Sequence, residues 1–530
     1  MNAGIDRATA LFQEGVAHHN AGRYRQAIEA YRGAIAGGLA VAPVHGNLGH
    51  ALAMAGRNVE AIAEFECAVA IDASSAELHD WLGAAYFAEG RHAEAEQRHR
   101  HALALRPGFV AARRNLGNAL SAQGRKDEAV ECLRAALAAQ PADENTLADL
   151  GAALQEMGEF AEARKHLEEA LRVRPDFPLA LNNLGYLARE EGRADEAAAL
   201  FERSLALQPG NPRAAHNLAL ARLMQERFEE GWRLYEARFR TRPPAALRRE
   251  FAVPPLARDE IGRVRRVAVW REQGVGDQIL YSTTLGELEA RGQEFVVEID
   301  ARLVPAMRRA HPRWNVVAPE ESAAAFAGCD RHAPMADIAA MVRPTRESFA
   351  SQPRAFLAAD RERAARYRAQ VAKPGRRVIG ISWRSFQPKS RAWLETRKSA
   401  PLEDFAPLAA RDDLLLLDLQ YGDTAAERAR FRGELARIEG LDLFNDLDGV
   451  MAAIEACDVV VTTSSVTAHL AGATGKRTLL IYLNALPPFH YWSNRDGNHS
   501  PWYPSVELVS APAIDSWPRA LARVDELLHG

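Results

Sequence analysis

The residues best placed for chemistry form a hydroxyl-rich run at residues 460–476. Its β-branched start followed by alanines and leucine predicts a buried strand, a turn and the first turns of a helix. Free amide hydrogens at a helix N-terminus, helped by Ser and Thr hydroxyls, make a site for phosphate. The run therefore predicts a phosphate-binding turn with Ser464, Ser465 and Thr467, and His469 either reaches the ligand or anchors the helix.

A second candidate is the segment Gly274-Val275-Gly276-Asp277, which follows a predicted buried strand at Val264–Trp270. The third glycine of a dinucleotide site is missing, as is an acidic residue at the ribose-binding spacing, so NAD is not favoured. The Asp277 carboxylate at this position could take a proton as a general base. Helix capping is the alternative role for Asp277, and both roles can hold together.

Two further segments invite a functional interpretation that the sequence does not favour. Asp446-x-Asp448 looks like a metal-binding pair, but it precedes an apolar helical run, so Asp448 is better interpreted as a helix cap and no metal ion is predicted. The aromatic segment 489–503 could stack on a sugar or a base. Packing under the last helix is the commoner fate of such rings.

The elements that must position these residues alternate in type from Arg263 onward. Short β-branched runs alternate with helical stretches, which predicts a parallel sheet covered by helices. The pattern has two strand-led blocks, residues 263–375 and 376–530. We therefore expect two Rossmann-like α/β lobes that face each other across a cleft.

The first 240 residues show a different pattern, an internal repeat of 34 residues. The repeated tripeptides are Asn47-Leu48-Gly49, Trp81-Leu82-Gly83, Asn115-Leu116-Gly117, Asp149-Leu150-Gly151 and Asn183-Leu184-Gly185. Small residues recur at fixed places and a proline closes most units, which predicts pairs of antiparallel helices. About seven units would stack into an α-solenoid with a groove, the seventh being a degenerate capping unit. The proline pairs within residues 241–262 predict a short linker after it.

Composition limits the partners. A formal net charge of −4 with 26% charged residues gives no polycationic surface, so nucleic-acid binding is not expected. Four widely spaced cysteines indicate a reducing compartment. Neither a signal peptide nor an apolar run near the roughly 20 residues that span a bilayer is visible, so a cytoplasmic location is expected.

The repeats resemble the tetratricopeptide (TPR) repeat, and their arrangement is similar to that of the TPR-containing protein O-GlcNAc transferases. In that family an asparagine ladder lines the groove and holds an extended peptide by its backbone. The resemblance implies a protein acceptor bound by Asn47, Asn115, Asn183 and Asn217. A carboxamide suits this role because it both donates and accepts hydrogen bonds. The ladder is interrupted at the Trp81 and Asp149 positions, and a purely structural role for the asparagines is the alternative.

The second half resembles the heptosyltransferase-like glycosyltransferases of the GT-B type, in particular those that follow TPR repeats. The resemblance rests on the segments at 272–277, 380–384, 397–399, 418–423, 468–475 and 500–505. It implies a nucleotide-sugar as co-substrate, no other cofactor and no metal. It also suggests flagellin as one acceptor, since TPR-linked transferases of this broad kind include flagellin-modifying enzymes.

Carried over by position, the resemblance makes Asp277 the general base on the acceptor hydroxyl. The donor-binding positions would be Gly274, Gly276, Arg384, Lys398, Gln420, Ser464, Ser465, Thr467 and His469. Family members often have an aspartate where this chain has Ser464, so the resemblance does not identify the donor sugar. That departure also leaves two alternatives, a non-catalytic TPR scaffold with a degenerate transferase domain, or a lipopolysaccharide-type transferase.

Overall fold

The computed structural model describes residues 2–241, 243–385, 398–483, 490–492, 497–509 and 516–529. The chain divides into two compact units, Met1–Asn183 and Leu184–Gly530. Among the described residues, no helix combines the length and apolar character needed to cross a bilayer.

The first unit is built from helical pairs, as the 34-residue period predicts. Its helices are α1 (Asn2–Asn20), α2 (Tyr24–Ala36), α3 (Ala42–Met54), α4 (Asn58–Ile71), α5 (Ala76–Ala88), α6 (His92–Leu105), α7 (Val110–Ala122), α8 (Lys126–Ala139), α9 (Glu144–Met157) and α10 (Phe160–Val173). The repeated glycine lets the two helices of a pair approach each other closely. A Cβ added at Gly49 would lie 2.8 Å from the ring of Phe65, which fills the space between α3 and α4.

The second unit begins within α11 (Pro178–Glu190) and continues through α12 (Ala194–Leu207), α13 (Pro212–Met224) and α14 (Phe228–Tyr235). The sequence suggests that the seventh repeat caps the stack, which would give it a polar outer face. Instead Phe228, Trp232 and Tyr235 of α14 are buried in one apolar core with strand residues of the α/β region. The last repeat is therefore a structural part of the α/β region.

The predicted linker at 241–262 is also packed onto the α/β region, in its described residues. The Leu256 amide donates to the His332 carbonyl at 2.8 Å, and the His332 amide donates to the Pro254 carbonyl at 3.2 Å. The ring of Phe251 stacks on His332 at 4.2 Å between centroids. The segment thus extends the edge of a sheet.

That first sheet contains β1 (Arg266–Trp270), β2 (Glu294–Glu298), β3 (Asn315–Val317) and β4 (Arg331–Pro334). All its pairings are parallel and the strand order is β3-β2-β1-β4. Its helices are α15 (Val275–Ser282), α16 (Gly286–Ala290), α17 (Val304–Ala310), α18 (Ser322–Phe326) and α19 (Met335–Val342). The next helix, α20 (Arg361–Val371), packs on the helix Leu447–Glu455 that covers the second sheet.

The second sheet contains β5 (Arg377–Ser382), β6 (Leu414–Asp418), β7 (Leu435–Ala436), β8 (Val459–Thr462), β9 (Thr478–Ile481) and β10 (Val506–Val509). It is also parallel, in the order β10-β9-β8-β5-β6-β7. Counted from β5, this is the doubly wound Rossmann order. Its helices are α21 (Ala406–Ala409), α22 (Ala425–Arg430), α23 (Leu447–Glu455), α24 (Val466–Ala473) and α25 (Trp517–His529). The expectation of parallel sheets after the repeats is confirmed.

Candidate functional site

Ligands of doubly wound sheets bind outside the carboxyl ends of the strands, where the strand order reverses. In the first sheet this point lies between β1 and β4, and in the second between β5 and β8. The segment that leads to Asp277 follows β1, and the hydroxyl-rich turn follows β8. Both motifs that the sequence singles out therefore stand at the expected edge of their sheets.

Asp277 lies in the first turn of α15, whose N-cap is Gly274. Burial, helped by the nearby carboxylate of Glu272, raises the pKa of Asp277 to about 7. Backbone hydrogen bonding from Gly274 and from Asp277 itself works in the opposite direction and is smaller. Asp277 is thus the third residue of the helix, where a carboxylate can accept a hydrogen bond from the N-cap amide, and it has the proton affinity of a base that works near neutral pH.

The hydroxyl-rich turn joins β8 to α24. The Thr463 amide donates to the Ser382 carbonyl at 3.1 Å, and the Thr462 and Ser465 hydroxyls are 3.1 Å apart. Ser465 is the N-cap of α24, but its side chain makes no capping hydrogen bond. The Thr463 hydroxyl is buried without a hydrogen-bond partner in the described part of the chain. The turn therefore offers a hydroxyl and helix amides to an anion.

The other predicted residues of this turn form hydrogen bonds with neighbouring groups. Ser464 Oγ accepts a hydrogen bond from Trp492 Nε1 at 3.1 Å, and Thr467 Oγ1 donates to the Leu419 carbonyl at 3.5 Å. His469 Nδ1 is 3.0 Å from the Tyr503 hydroxyl. Burial lowers the pKa of His469 to about 3, so the imidazole is neutral and could only serve a phosphate as a neutral donor.

Arg384 and Gln420 organise the ends of β5 and β6. Gln420 Oε1 accepts from the Arg384 amide at 2.7 Å and from the Ser382 hydroxyl at 3.1 Å. Arg384 Nη1 donates to Glu427 Oε1 at 3.0 Å. Lys398 is partly buried and follows residues 386–397, which lie outside the described residues. Arg384 thus lies just beyond the carboxyl end of β5 and already has a carboxylate partner.

The two motifs meet where α15 packs against α24. A Cβ added at Gly276 would lie 2.9 Å from the ring of His469. The negative charge of Asp277 also acts on Tyr491 and Tyr503, whose rings surround His469. A partly buried carboxyl and the anion-binding turn are therefore neighbours.

Several residues of this neighbourhood are not singled out by any sequence pattern. Tyr235 accepts a hydrogen bond from Gln273 Nε2 at 3.0 Å through its hydroxyl, and Arg238 donates to Glu272 at 2.8 Å. Both residues lie at the end of the last repeat, which the sequence pattern predicts to be a capping unit. The departure of that repeat from the consensus was the available signal.

The asparagines of the repeats do not share one environment. In the first unit, Asn115 Nδ2 donates to Asp80 Oδ1 at 3.1 Å, Asn47 is partly buried and Asn183 is 7% exposed. In the second unit, Asn217 Oδ1 accepts from Arg189 Nη1 at 3.1 Å. Peptide binding by these residues stays a prediction, and Asn115 and Asn217 would have to exchange existing partners.

The interpretation of Asp448 as a helix cap is wrong. Asp446 caps α23, since its Oδ1 accepts from the Gly449 amide at 2.8 Å. Asp448 forms an ion pair with Arg309. In the described part of the chain, three or more His, Cys, Asp or Glu side chains nowhere come together as metal ligands.

Comparisons with known proteins confirm the repeats. One tetratricopeptide-repeat model matches residues 12–76 and 149–212, and a second matches 86–154 and 188–242. Protein FlbA of Caulobacter vibrioides is 30% identical over 288 residues, which is 50% of this chain. The chain spans about half the length of this relative, 47%.

Similar solved structures include PilF of Pseudomonas aeruginosa, 21% identical, covering 40% of this chain and 97% of that one, with a TM-score of 0.34. A thermophilic TPR protein of Thermus thermophilus is 24% identical over 34% of this chain and 100% of its own, with a TM-score of 0.33. The chain thus carries tetratricopeptide repeats throughout its N-terminal region, followed by a region with parallel sheets.

Proposed function

We propose that the chain is a metal-independent glycosyltransferase of the GT-B type, which moves a sugar from a nucleotide-sugar to a protein recruited by the repeats. The observation that carries this proposal is the packing of α15 on α24, with Gly276 against His469. It brings a carboxyl with a raised pKa next to a turn suited to phosphate. Glycosyl transfer to a hydroxyl needs both groups.

The chemistry of each group follows from its position. The acceptor oxygen would form a bond to the anomeric carbon of the sugar while the bond from that carbon to the donor phosphate breaks. Asp277 would take the proton of the acceptor hydroxyl. The departing nucleotide diphosphate would be stabilised by the amides at the start of α24 and by the Thr463 hydroxyl.

The N-terminal region supports a protein acceptor. Stacked TPR units present an extended binding surface, and carboxamides at a recurring position suit a peptide backbone. Flagellin is the acceptor that the sequence resemblance suggests. A non-catalytic scaffold is the second candidate, because Ser464 stands where an aspartate is frequent and is held by Trp492.

Incubation of the purified chain with labelled sugar nucleotides and cell lysate tests the proposal. We expect label on protein, and its loss in Asp277→Asn. The matched control is Asp259→Asn, which changes an exposed carboxylate in the segment before β1 and should keep wild-type labelling. Label on lipid would support a lipopolysaccharide-type transferase. Absence of label with every donor, together with retained binding of protein, would support the scaffold.

A further inference from the structure

The last repeat carries a buried arginine that the proposed reaction does not use. Arg238 lies on the 3-10 helix Glu236–Phe239 and is 1% exposed. Its Nε donates to Glu272 Oε2 at 2.8 Å, and its Nη2 donates to Asp337 Oδ1 at 2.6 Å. The guanidinium also lies 4.7 Å from the ring centroid of Tyr235. These contacts hold the planar guanidinium group in one orientation, and a lysine ammonium group cannot form the same set of contacts.

These contacts fix the loop between β1 and α15. Besides Arg238, Glu272 accepts from the Ala336 amide at 3.3 Å. The next residue, Gln273, donates to the Tyr235 hydroxyl, and its carbonyl accepts from Gln278 Nε2 at 3.0 Å. The end of the last repeat thus holds two consecutive residues of the loop that leads into Asp277.

The same contacts set the charge around Asp277. Burial alone would lower the pKa of Arg238, but Asp337 and Glu272 more than offset this and raise it, so the arginine stays charged. An ionised Glu272 without its arginine would be a buried, uncompensated charge close to Asp277. Titratable and charged groups that face Asp277 from the surrounding elements are Glu272, Tyr235, Tyr281, Tyr491, Tyr503 and the neutral His469.

We propose that Arg238 is a positioning residue of the Asp277 site, because it fixes Glu272 and with it both the loop before α15 and the charge beside Asp277. The inference rests on the proposed transfer reaction. It gives the last repeat a task in catalysis that is separate from recruitment of the acceptor.

Substitution of Arg238 in the full chain tests the positioning. Arg238→Met should lower kcat of transfer about tenfold or more, because small displacements of a reacting group are expensive, while KM for the donor changes by less than about twofold. Arg238→Lys should recover part of the loss. Arg249→Met is the matched control, since Arg249 pairs with buried Glu298 at 2.8 Å and should leave kcat unchanged. Wild-type kcat in Arg238→Met would overturn the proposal.

A second variant, Glu272→Gln, tests the charge without removing Arg238, which keeps Asp337. The acid limb of kcat/KM should move down by about one pH unit, since a like charge beside Asp277 is gone. Asp277 also makes the free energy of unfolding depend on pH, and this contribution is absent in Asp277→Asn. In Glu272→Gln the pH range of this contribution should move down as well, and the measurement does not require enzymatic activity. If both stay in place, the proposal is wrong. If the wild type transfers no sugar but Glu272→Gln still shifts the pH dependence of unfolding, the proposed transfer reaction is wrong and the charge coupling to Asp277 holds.

Discussion

Asp277 occupies a position at which two local effects compete. Burial and the neighbouring Glu272 raise its pKa to about 7, whereas the amides at the start of α15 favour the ionised form. A base must be ionised to accept a proton and basic enough to hold it, so a pKa close to the working pH is the useful compromise. A carboxylate that only caps a surface helix has no need of such a pKa.

Asp277→Asn keeps the shape of the side chain and removes its basicity. Transfer should fall about 100-fold or more while donor binding persists, and kcat/KM of the wild type should rise with pH through about 7. The folded state holds a proton on Asp277 between the unfolded pKa of ~3.9 and about 7. Wild-type stability relative to Asp277→Asn should therefore decline as pH rises through that window. Wild-type turnover in a folded Asp277→Asn would leave only the capping role.

Gly276 matters because of the ring that lies against it. Gly276→Ala should destabilise the chain by about 1–3 kcal/mol, since His469 is enclosed by Tyr491, Trp492 and Tyr503 and cannot move away. Gly286→Ala, also at the start of a helix but with no atom within 4 Å of the added Cβ, is the control and should be neutral or stabilising. Denaturation in urea compares the two. Equal stabilities would mean that α15 and α24 are not in close contact.

At the scale of the element, one turn of the repeats breaks the rule that the others follow. The turn between the two helices of a unit has a left-handed glycine at Gly22, Gly56, Gly90, Gly124, Gly158 and Gly192. The last repeat has Glu226 there, with φ of 58°. Its carboxylate lies 3.0 Å from Arg346 Nε, and its side chain is 6% exposed. The ion pair explains why a strained residue replaces glycine.

Two substitutions at Glu226 separate strain from the ion pair. Glu226→Ala loses the pair and keeps the strain, whereas Glu226→Gly loses both, so the glycine variant should be more stable by about 1 kcal/mol. Gly192→Ala in the preceding turn should cost a similar amount. Urea unfolding measures all three. An alanine variant as stable as the glycine variant would contradict the left-handed turn.

The elements show what a sequence can reveal. The 34-residue period defines the helical pairs, and runs of buried apolar residues mark β1, β2, β5, β6, β8 and β9. β3 and β7 have only three and two residues, and the four-residue strands β4 (Arg331–Pro334) and β10 (Val506–Val509) contain charged residues and no continuous apolar run. Asp277 and the hydroxyl turn were visible because their residue types imply chemistry. Arg238 and Tyr235 were not, since their role depends on a fold contact between distant parts of the chain.

At the scale of the whole molecule, the repeat pattern and the packing give different boundaries. The pattern ends near residue 240, but the second compact unit begins at Leu184. The reason is chemical, because Trp232 donates through Nε1 to the Arg343 carbonyl at 2.9 Å and Arg238 neutralises Glu272. Because side chains of the last repeat are buried in the core of the α/β region, this repeat is part of that region.

Two truncated chains test this boundary. A chain that begins at Asp176 keeps α11 to α14, so it should fold and bind the donor like the full chain, while losing the acceptor contacts of the earlier repeats.

A chain that begins at Thr241 lacks Trp232 and Arg238. Loss of one partner of a buried ion pair costs about 3–5 kcal/mol, and loss of a core aromatic costs a similar amount, together comparable to the stability of a whole domain. We therefore expect this shorter chain to be unfolded by circular dichroism and unable to bind nucleotide. If it folds and binds as the longer one does, the last repeat is a separate module. If the chain from Asp176 modifies the protein acceptor as well as the full chain does, the first five repeats do not recruit it.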